Sequence, residues 1–265
     1  PAFTYPNLTK TSPLPRYLGV LGIPGLTAYA GVKRILQPKA GSQIFISSAA
    51  GAVGLVAGQV CKQLGARVVG CTGSDDKCQF LLDHGFDVAF NYKPARATTA
   101  NCAAADLDDD NGYANYVAVL GHHFPQGIDG YFDCVGGAML DAVLHHANEH
   151  AAIAVCGIIS TLPPPTTRQH DTTCTRTEST FVSTANPANF GEDYVWKFHN
   201  FSRVLTKSIR MQGFQARDHY DLMDEYQTTM KDWLDTGKVV YREAILHGIE
   251  NLPTALMHML DGKNL

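Results

Sequence analysis

The apolar run Ile44-Phe45-Ile46 passes through a stretch of small residues, Ser47-Ser48-Ala49-Ala50-Gly51-Ala52-Val53-Gly54, into a helical pattern from Leu55 to Leu64. This is a strand, a turn almost free of side chains, and a helix. Such a turn lets an anion reach the backbone N–H groups at the helix N-terminus, as a nucleotide pyrophosphate requires. The spacing is A-x-x-G rather than the full G-x-G-x-x-G, so alone it also fits an ordinary strand-to-helix connection. The next segment, Ala66 to Thr72, reads as a second buried strand and completes a βαβ unit in roughly 30 residues. That context points to a bound dinucleotide.

The end of the second strand bears on which dinucleotide. A carboxylate about 20 residues beyond the glycine turn would suit a free ribose 2′-hydroxyl, and a cation with small polar groups would suit a 2′-phosphate. Here the strand tip reads Cys71-Thr72-Gly73-Ser74, with Lys77 close behind. Asp75 and Asp76 fall slightly late and fit the first turn of the next helix, where negative charge offsets the helix dipole. NADP(H) is therefore favoured over NAD(H).

Elsewhere strand and helix alternate. Helices are expected at Thr27 to Leu36, Asp75 to His84, Ala138 to Asn148, Tyr194 to Lys207, Tyr220 to Thr236 and Leu252 to Leu260. Strands are expected at Val88 to Asn91, Gly127 to Asp133, Ala152 to Cys156, Ile209 to Phe214 and Val239 to Ala244. This order predicts an α/β fold of the Rossmann type, a doubly wound parallel sheet with helices on both faces. The Ala- and Asp-rich stretch from Pro94 to Asn111 and the Thr-, Ser- and Pro-rich stretch from Leu162 to Asn189 read as loops. The chain divides into an extended entry over 1–16, a nucleotide-binding domain over 17–250 and a C-terminal helix over 251–265.

With 265 residues and a net charge of -4, the chain has a core's worth of apolar residues and no basic runs, which argues against nucleic acid as a partner. No stretch approaches the roughly 18 apolar residues of a membrane span, so no membrane partner is expected. The seven cysteines lack any C-x-x-C pair and fit reduced thiols in a cytoplasmic compartment.

Several words, in order, carry a resemblance. They are Tyr17-Leu18-Gly19-Val20-Leu21-Gly22-Ile23-Pro24-Gly25-Leu26-Thr27-Ala28-Tyr29, Ala49-Ala50-Gly51-Ala52-Val53-Gly54, Gly58-Gln59, Ala89-Phe90-Asn91-Tyr92-Lys93 and Tyr131-Phe132-Asp133-Cys134-Val135-Gly136-Gly137. Arg210-Met211-Gln212-Gly213-Phe214, Gly237-Lys238-Val239-Val240-Tyr241 and Gly262-Lys263-Asn264-Leu265 continue them. Together they resemble the zinc-independent medium-chain reductases, and among these the NADP-dependent alkenal and prostaglandin (leukotriene B4 dehydrogenase-type) double-bond reductases. The resemblance implies NADPH-dependent reduction of a C=C bond conjugated to a carbonyl in an enal or enone, without a metal. It implies cofactor contacts at Ala50, Gly51, Ala52, Val53 and Gly54 for the pyrophosphate, Lys77 for the 2′-phosphate, Tyr92 beside the adenosine, and also Cys134, Cys156, Gly157 and Asn264. It further implies a homodimer whose cofactor domains meet edge to edge, and a preceding substrate domain of about 100 residues or more, of which this chain would carry only the end.

The chain departs from the family where chemistry is done. After Cys156-Gly157 the family has Ile-Ser-x-Tyr-Asn, with the tyrosine beside the substrate carbonyl; here the word is Ile159-Ser160-Thr161-Leu162-Pro163. Leucine cannot donate a hydrogen bond, and loss of an oxyanion donor commonly costs on the order of a hundredfold in rate. The catalytic donor is thus unassigned, with Tyr194 and Tyr220 as candidate substitutes. The family's Asp-Asn-Val-Gly-Gly has Cys134 for its asparagine, a thiol for an amide. Loops around Arg96 to Asp110 and Thr166 to Asn189 are longer than in the family. Two other readings follow: an NADP(H)-binding member with weakened catalysis that serves as a structural or interaction subunit, and a quinone reductase. His146-Ala147-Asn148-Glu149-His150 matches H-x-x-E-H zinc spacing, but it falls where a helix runs into a strand.

Overall fold

The computed structural model describes residues 13–93, 112–158, 160 and 198–260. Among these residues six strands form one sheet: β1 (Gln43–Ile46), β2 (Arg67–Thr72), β3 (Val88–Asn91), β4 (Ile128–Asp133), β5 (Ala147–Val155) and β6 (Arg210–Gly213). The order is β3-β2-β1-β4-β5-β6 and each neighbouring pair is parallel. This is the doubly wound Rossmann order, with the direction of winding reversing between β1 and β4.

The described helices are α1 (Ile23–Ala30), α2 (Gly54–Gln63), α3 (Asp75–Asp83), α4 (Tyr113–His123), α5 (Gly137–His146), α6 (Ser202–Thr206), α7 (Met223–Asp235) and α8 (Leu252–Leu260). Strand alternation sends side chains to opposite faces. Ile44 and Ile46 of β1, with Val68, Phe132, Ala152 and Ala154, join one core with residues of α1, α2 and α7. Phe45, Val69, Tyr131 and Ile153 join a second core with residues of α4 and α5. In that second core Phe45 stacks on Tyr131 and Phe90, at 5.1 and 5.9 Å between ring centres, and meets Phe124 edge-on at 5.9 Å.

Small residues stand where elements approach closely. A Cβ on Gly58 of α2 would lie 2.1 Å from the Phe86 ring, and one on Gly31 would lie 2.6 Å from Phe132. Gly31 opens a π-helical turn over Gly31–Leu36, which extends α1 and ends at Gln37 in the left-handed region with φ 47°.

Several expectations need correction. The strand expected at Ala152 to Cys156 runs over Ala147–Val155, and the helix expected from Thr27 begins at Ile23. A helix over Tyr113–His123 follows the loop read from Pro94 to Asn111, in a stretch for which no element is expected above; Tyr116, Leu120 and Phe124 recur at helical spacing and are buried. The helix expected to continue to Asn148 ends at His146, because Ala147 and Asn148 already belong to β5. The helix expected from Tyr220 starts at Met223, after a 3-10 segment over Ala216–Leu222. Of the helix expected to reach Lys207, the described part is helical only over Ser202–Thr206. The strand expected at 239–244 is not a strand. There the buried Gln59 amide takes the place of a neighbouring strand: Val240 N–H donates to Gln59 Oε1 at 2.7 Å, and Gln59 Nε2 donates to the Val240 carbonyl at 2.8 Å.

Candidate functional site

Because all six strands are parallel, their carboxyl ends form a single edge, and the crevice at the β1/β4 reversal is where such sheets bind ligands. The turn after β1 lies there. Ser48 sits in the left-handed region at φ 50°, and Ala49 N–H donates to the Cys71 carbonyl at 3.0 Å, tying the turn to β2. Val53, at the N-cap of α2, gives no side-chain cap. The N–H groups of a helix's first turn lack intrahelical partners and are suited to an anion. A Cβ on Gly54 would lie 2.6 Å from the Ser48 carbonyl oxygen and 2.8 Å from Ala49 Cα, so the turn closes this tightly only with glycine there.

At the tip of β2, Ser74 caps α3 by accepting from Lys77 N–H at 3.4 Å. Asp75 and Asp76 occupy the first turn of α3, as expected, and Asp75 accepts from Asn91 Nδ2 at 2.8 Å. At Gly73 two side chains converge, those of Tyr92 and Lys93. A Cβ there would lie 3.2 Å from Tyr92 Oη, 3.1 Å from Lys93 Cε and 3.5 Å from Lys93 Nζ. Lys77 is close enough to feel Lys93: burial, and then the neighbouring ammonium, push its pKa below the ordinary lysine value. Two cations and a phenol thus gather at one strand tip. Lys93 was not singled out in the sequence, where it reads only as the last letter of a word; its adjacency to Tyr92 at the end of β3 was the available signal.

At the base of the crevice Asp133, the last residue of β4, is fully buried. Its Oδ1 accepts from Tyr131 Oη at 2.8 Å, Val135 N–H at 2.9 Å and Gly136 N–H at 2.8 Å. Burial pushes this carboxyl above its ordinary value against the pull of those donors, and Oδ2 has no partner among the described residues. Ser47 Oγ accepts from Cys134 N–H at 2.9 Å and lies 2.9 Å from Tyr131 Oη, so the ends of β1 and β4 are bonded together. Gly136 and Gly137 both take positive φ, 72° and 57°, and begin α5.

Cys156 N–H and Gly157 N–H both donate to the Asp133 carbonyl, at 2.8 and 3.0 Å, which lays the segment after β5 against the end of β4. Ser160 continues this contact through Val135, its Oγ donating to the Val135 carbonyl at 2.5 Å.

The structure therefore gathers Ala50 to Gly54, Lys77, Tyr92, Cys134, Cys156 and Gly157 along the carboxyl ends of β1 to β5. Leu162, Tyr194 and Asn264 lie outside the described residues, as do the two long loops. Tyr220 is 40% exposed on the 3-10 segment following β6, between His219 and Asp221, both of which contact Arg34. His146 ends α5 and bonds through Nε2 to the Val117 carbonyl at 2.8 Å, whereas His150 is in β5 at φ 61°; the two are not a turn apart on one helix. Among the described residues no group of three His, Cys, Asp or Glu side chains could hold a metal ion. A separate concavity lined by Leu36, Lys39, Asp129, Glu149, His150 and Arg210 involves the amino ends of β5 and β6, away from this crevice.

Residues 52–194 match the family model described as zinc-binding dehydrogenase. The chain belongs to this family. Within it, the chain lies on the zinc-independent, NADP-dependent double-bond reductase branch of the medium-chain dehydrogenases and reductases. It is 39% identical over 257 residues to the NADP(+)-dependent 2-alkenal reductase of Nicotiana tabacum, covering 97% of this chain and 62% of that protein. It is 35% identical over 260 residues to prostaglandin reductase 1 of Sus scrofa, covering 96% of this chain and 64% of that protein. Among solved structures, CurA from Vibrio vulnificus in complex with NADPH is 34% identical with a TM-score of 0.70, covering 97% of this chain and 65% of that one. The chain thus spans less than two thirds of the length of each of these relatives.

Proposed function

We propose that this protein binds NADP(H) in the crevice at the carboxyl ends of β1 to β5 and reduces the C=C bond of α,β-unsaturated aldehydes or ketones. The observation that carries the reading is the meeting of Tyr92 and Lys93 at Gly73, with Lys77 near enough to feel the Lys93 charge, a cationic cluster at the strand tip where a dinucleotide's ribose falls. The bound cofactor would supply a hydride to the β-carbon of the conjugated bond. The chain's own residues have narrower tasks. The bare turn from Ala50 to Gly54 offers N–H donors to the pyrophosphate, and Lys77 and Lys93 neutralise the 2′-phosphate. The Asp133 network with Ser47 and Tyr131 holds the ends of β1 and β4 at a fixed separation, so that the floor of the crevice is preformed. Substrate charge develops on the carbonyl oxygen, and donors near that oxygen stabilise it; Tyr194 and Tyr220 are the candidates for that role, since position 162 is leucine. The same reading makes the protein a cytoplasmic homodimer. Among the described residues β6 is an edge strand of the sheet, with Arg210, Gln212 and Gly213 exposed, and its outer edge is the one such a pairing would use.

Leu162 supports a second reading, an NADP(H)-binding member that has given up the chemistry. Quinone reduction, which leans less on that donor, is a third. Consumption of NADPH, followed by its absorbance with a medium-chain 2-alkenal and with a quinone, decides among them when run on the natural chain and on Leu162→Tyr. The leading reading expects alkenal turnover by the natural chain. Turnover only in the variant would mean that the fold keeps the site without the activity, and oxidation of NADPH by the quinone alone would establish the third reading. Silence in every arm would overturn the reductase reading.

A further inference from the structure

Cys134 and Cys156 occupy equivalent places on neighbouring parallel strands. β4 and β5 pair with Asp133 opposite Val155, and each cysteine is the next residue along. The hydrogen bond from Cys156 N–H to the Asp133 carbonyl at 2.8 Å keeps the two chains side by side past the end of the ladder. Adjacent strands lie about 4.8 Å apart, inside the range of Cα separations of roughly 4.4–6.8 Å that a disulfide spans. The two thiols are already in contact through a hydrogen bond, and both residues are partly exposed. That bond, Cys134 donating, draws the Cys156 thiol below its ordinary pKa while raising that of Cys134. It is the asymmetry of an attacking thiolate beside a resolving thiol. Each of the other described cysteines is raised, with none drawn down as Cys156 is: burial pushes Cys71 up to about 12 and Cys78 up to about 11, and it raises Cys61 as well.

We propose that Cys134 and Cys156 are a redox modification site, joined in a reversible disulfide by hydroperoxides, and that a bound nucleotide shields them. Cys156 Sγ attacks the peroxide oxygen, giving a sulfenic acid and releasing the alcohol, or water from hydrogen peroxide. Cys134 Sγ then attacks the sulfenic sulfur, the S–S bond forms and water leaves. Two thiols lose two electrons and two protons, and one peroxide bond is reduced. The shielding rests on the reading of the crevice as the NADP(H) site; the pairing does not.

The test treats the full chain with hydrogen peroxide under native conditions, with and without saturating NADP⁺. The chain has no Lys or Arg between Arg96 and Arg168, and Glu149 lies between the two cysteines. Trypsin with a glutamate-specific protease therefore yields 97–149 and 150–168 as separate peptides unless a disulfide joins them. The expected product is the joined pair, two hydrogens lighter, with fragmentation placing the bond at Cys134 rather than Cys102, and with separation restored by dithiothreitol. NADP⁺ should slow its formation by about tenfold or more, as occupancy near saturation requires. In Cys134→Ser the peptide pair should remain separate, with Cys156 trapped as its dimedone adduct. A sulfinic acid at Cys156 without a joined peptide, or a bond to any other cysteine, would overturn the pairing. Equal rates with and without NADP⁺, in protein that calorimetry shows to bind NADP⁺, would overturn the shielding alone. Absence of NADP⁺ binding in the reduced protein would instead overturn the cofactor reading, leaving the pairing to be decided by the peptide.

Discussion

At the scale of single residues, the nucleotide preference rests on charge at one strand tip. Lys77 lies in the first turn of α3, after β2, and Lys93 just beyond β3, so the segments after two separate strands bring ammonium groups within electrostatic reach of each other, that of Lys93 beside Gly73. Charge-assisted hydrogen bonds are worth about 1.5–3 kcal/mol, roughly tenfold or more in affinity. Lys93→Ala is accordingly expected to weaken NADPH binding about tenfold while leaving NADH binding little changed, as read from titration of both nucleotides. Loss of affinity for both alike would mean that Lys93 acts on the fold and not on the 2′-phosphate. Tyr92 and Lys77 were legible in the sequence as positions in the resemblance. Lys93 needed the structure, because nothing in a strand's last residues says which neighbouring strand tip a long side chain will reach.

At the scale of elements, the turn from β1 to α2 shows why small residues are required there. Gly54 faces backbone atoms, not a flexible side chain, so the neighbour cannot simply swing away. Gly54→Ala should therefore displace the turn, cost about 1–3 kcal/mol in a denaturant titration, and reduce nucleotide affinity by more than that stability loss explains. A variant with normal stability and normal affinity would mean that the turn tolerates the shift. Elsewhere the element boundaries moved for identifiable reasons. Val239-Val240-Tyr241 has β-forming residues, yet Gln59 satisfies the Val240 backbone and Arg16 Nε donates to Tyr241 Oη at 2.8 Å, so side chains do the work of a missing strand.

At the scale of the whole molecule, one buried carboxylate ties the segment entering α6 to the second core. Asp141 of α5 is fully buried and accepts from His199 N–H at 2.8 Å and Asn200 N–H at 2.9 Å, while Asn200 Nδ2 donates to Tyr113 Oη at 2.6 Å. Burial pushes the carboxyl up, but the hydrogen bonds from His199 and Asn200 outweigh it and hold it below the ordinary carboxylate range. A carboxyl with a lowered folded-state pKa stabilises the fold above its unfolded value, about 4, and that contribution is lost as pH falls through the folded value. Urea midpoints should therefore show Asp141→Asn less stable than the natural chain at neutral pH, with the gap closing as the medium is acidified below about pH 4. A gap independent of pH would assign the loss to packing instead.

What the sequence by itself determined is the alternation of strands and helices, the bare turn after β1 and the acid-free tip of β2. Each is a local pattern whose physics, hydrophobic period, steric clearance or charge, is complete within a few residues. The tertiary structure alone decided which strand tips converge, so it alone placed Lys93 beside Lys77, Cys134 beside Cys156 and Gln59 against Val240. Those pairs are separated along the chain: the cysteines meet through the parallel register of β4 and β5, and Gln59 meets Val240 through the packing of a helix on a segment outside the sheet, arrangements that no single segment encodes.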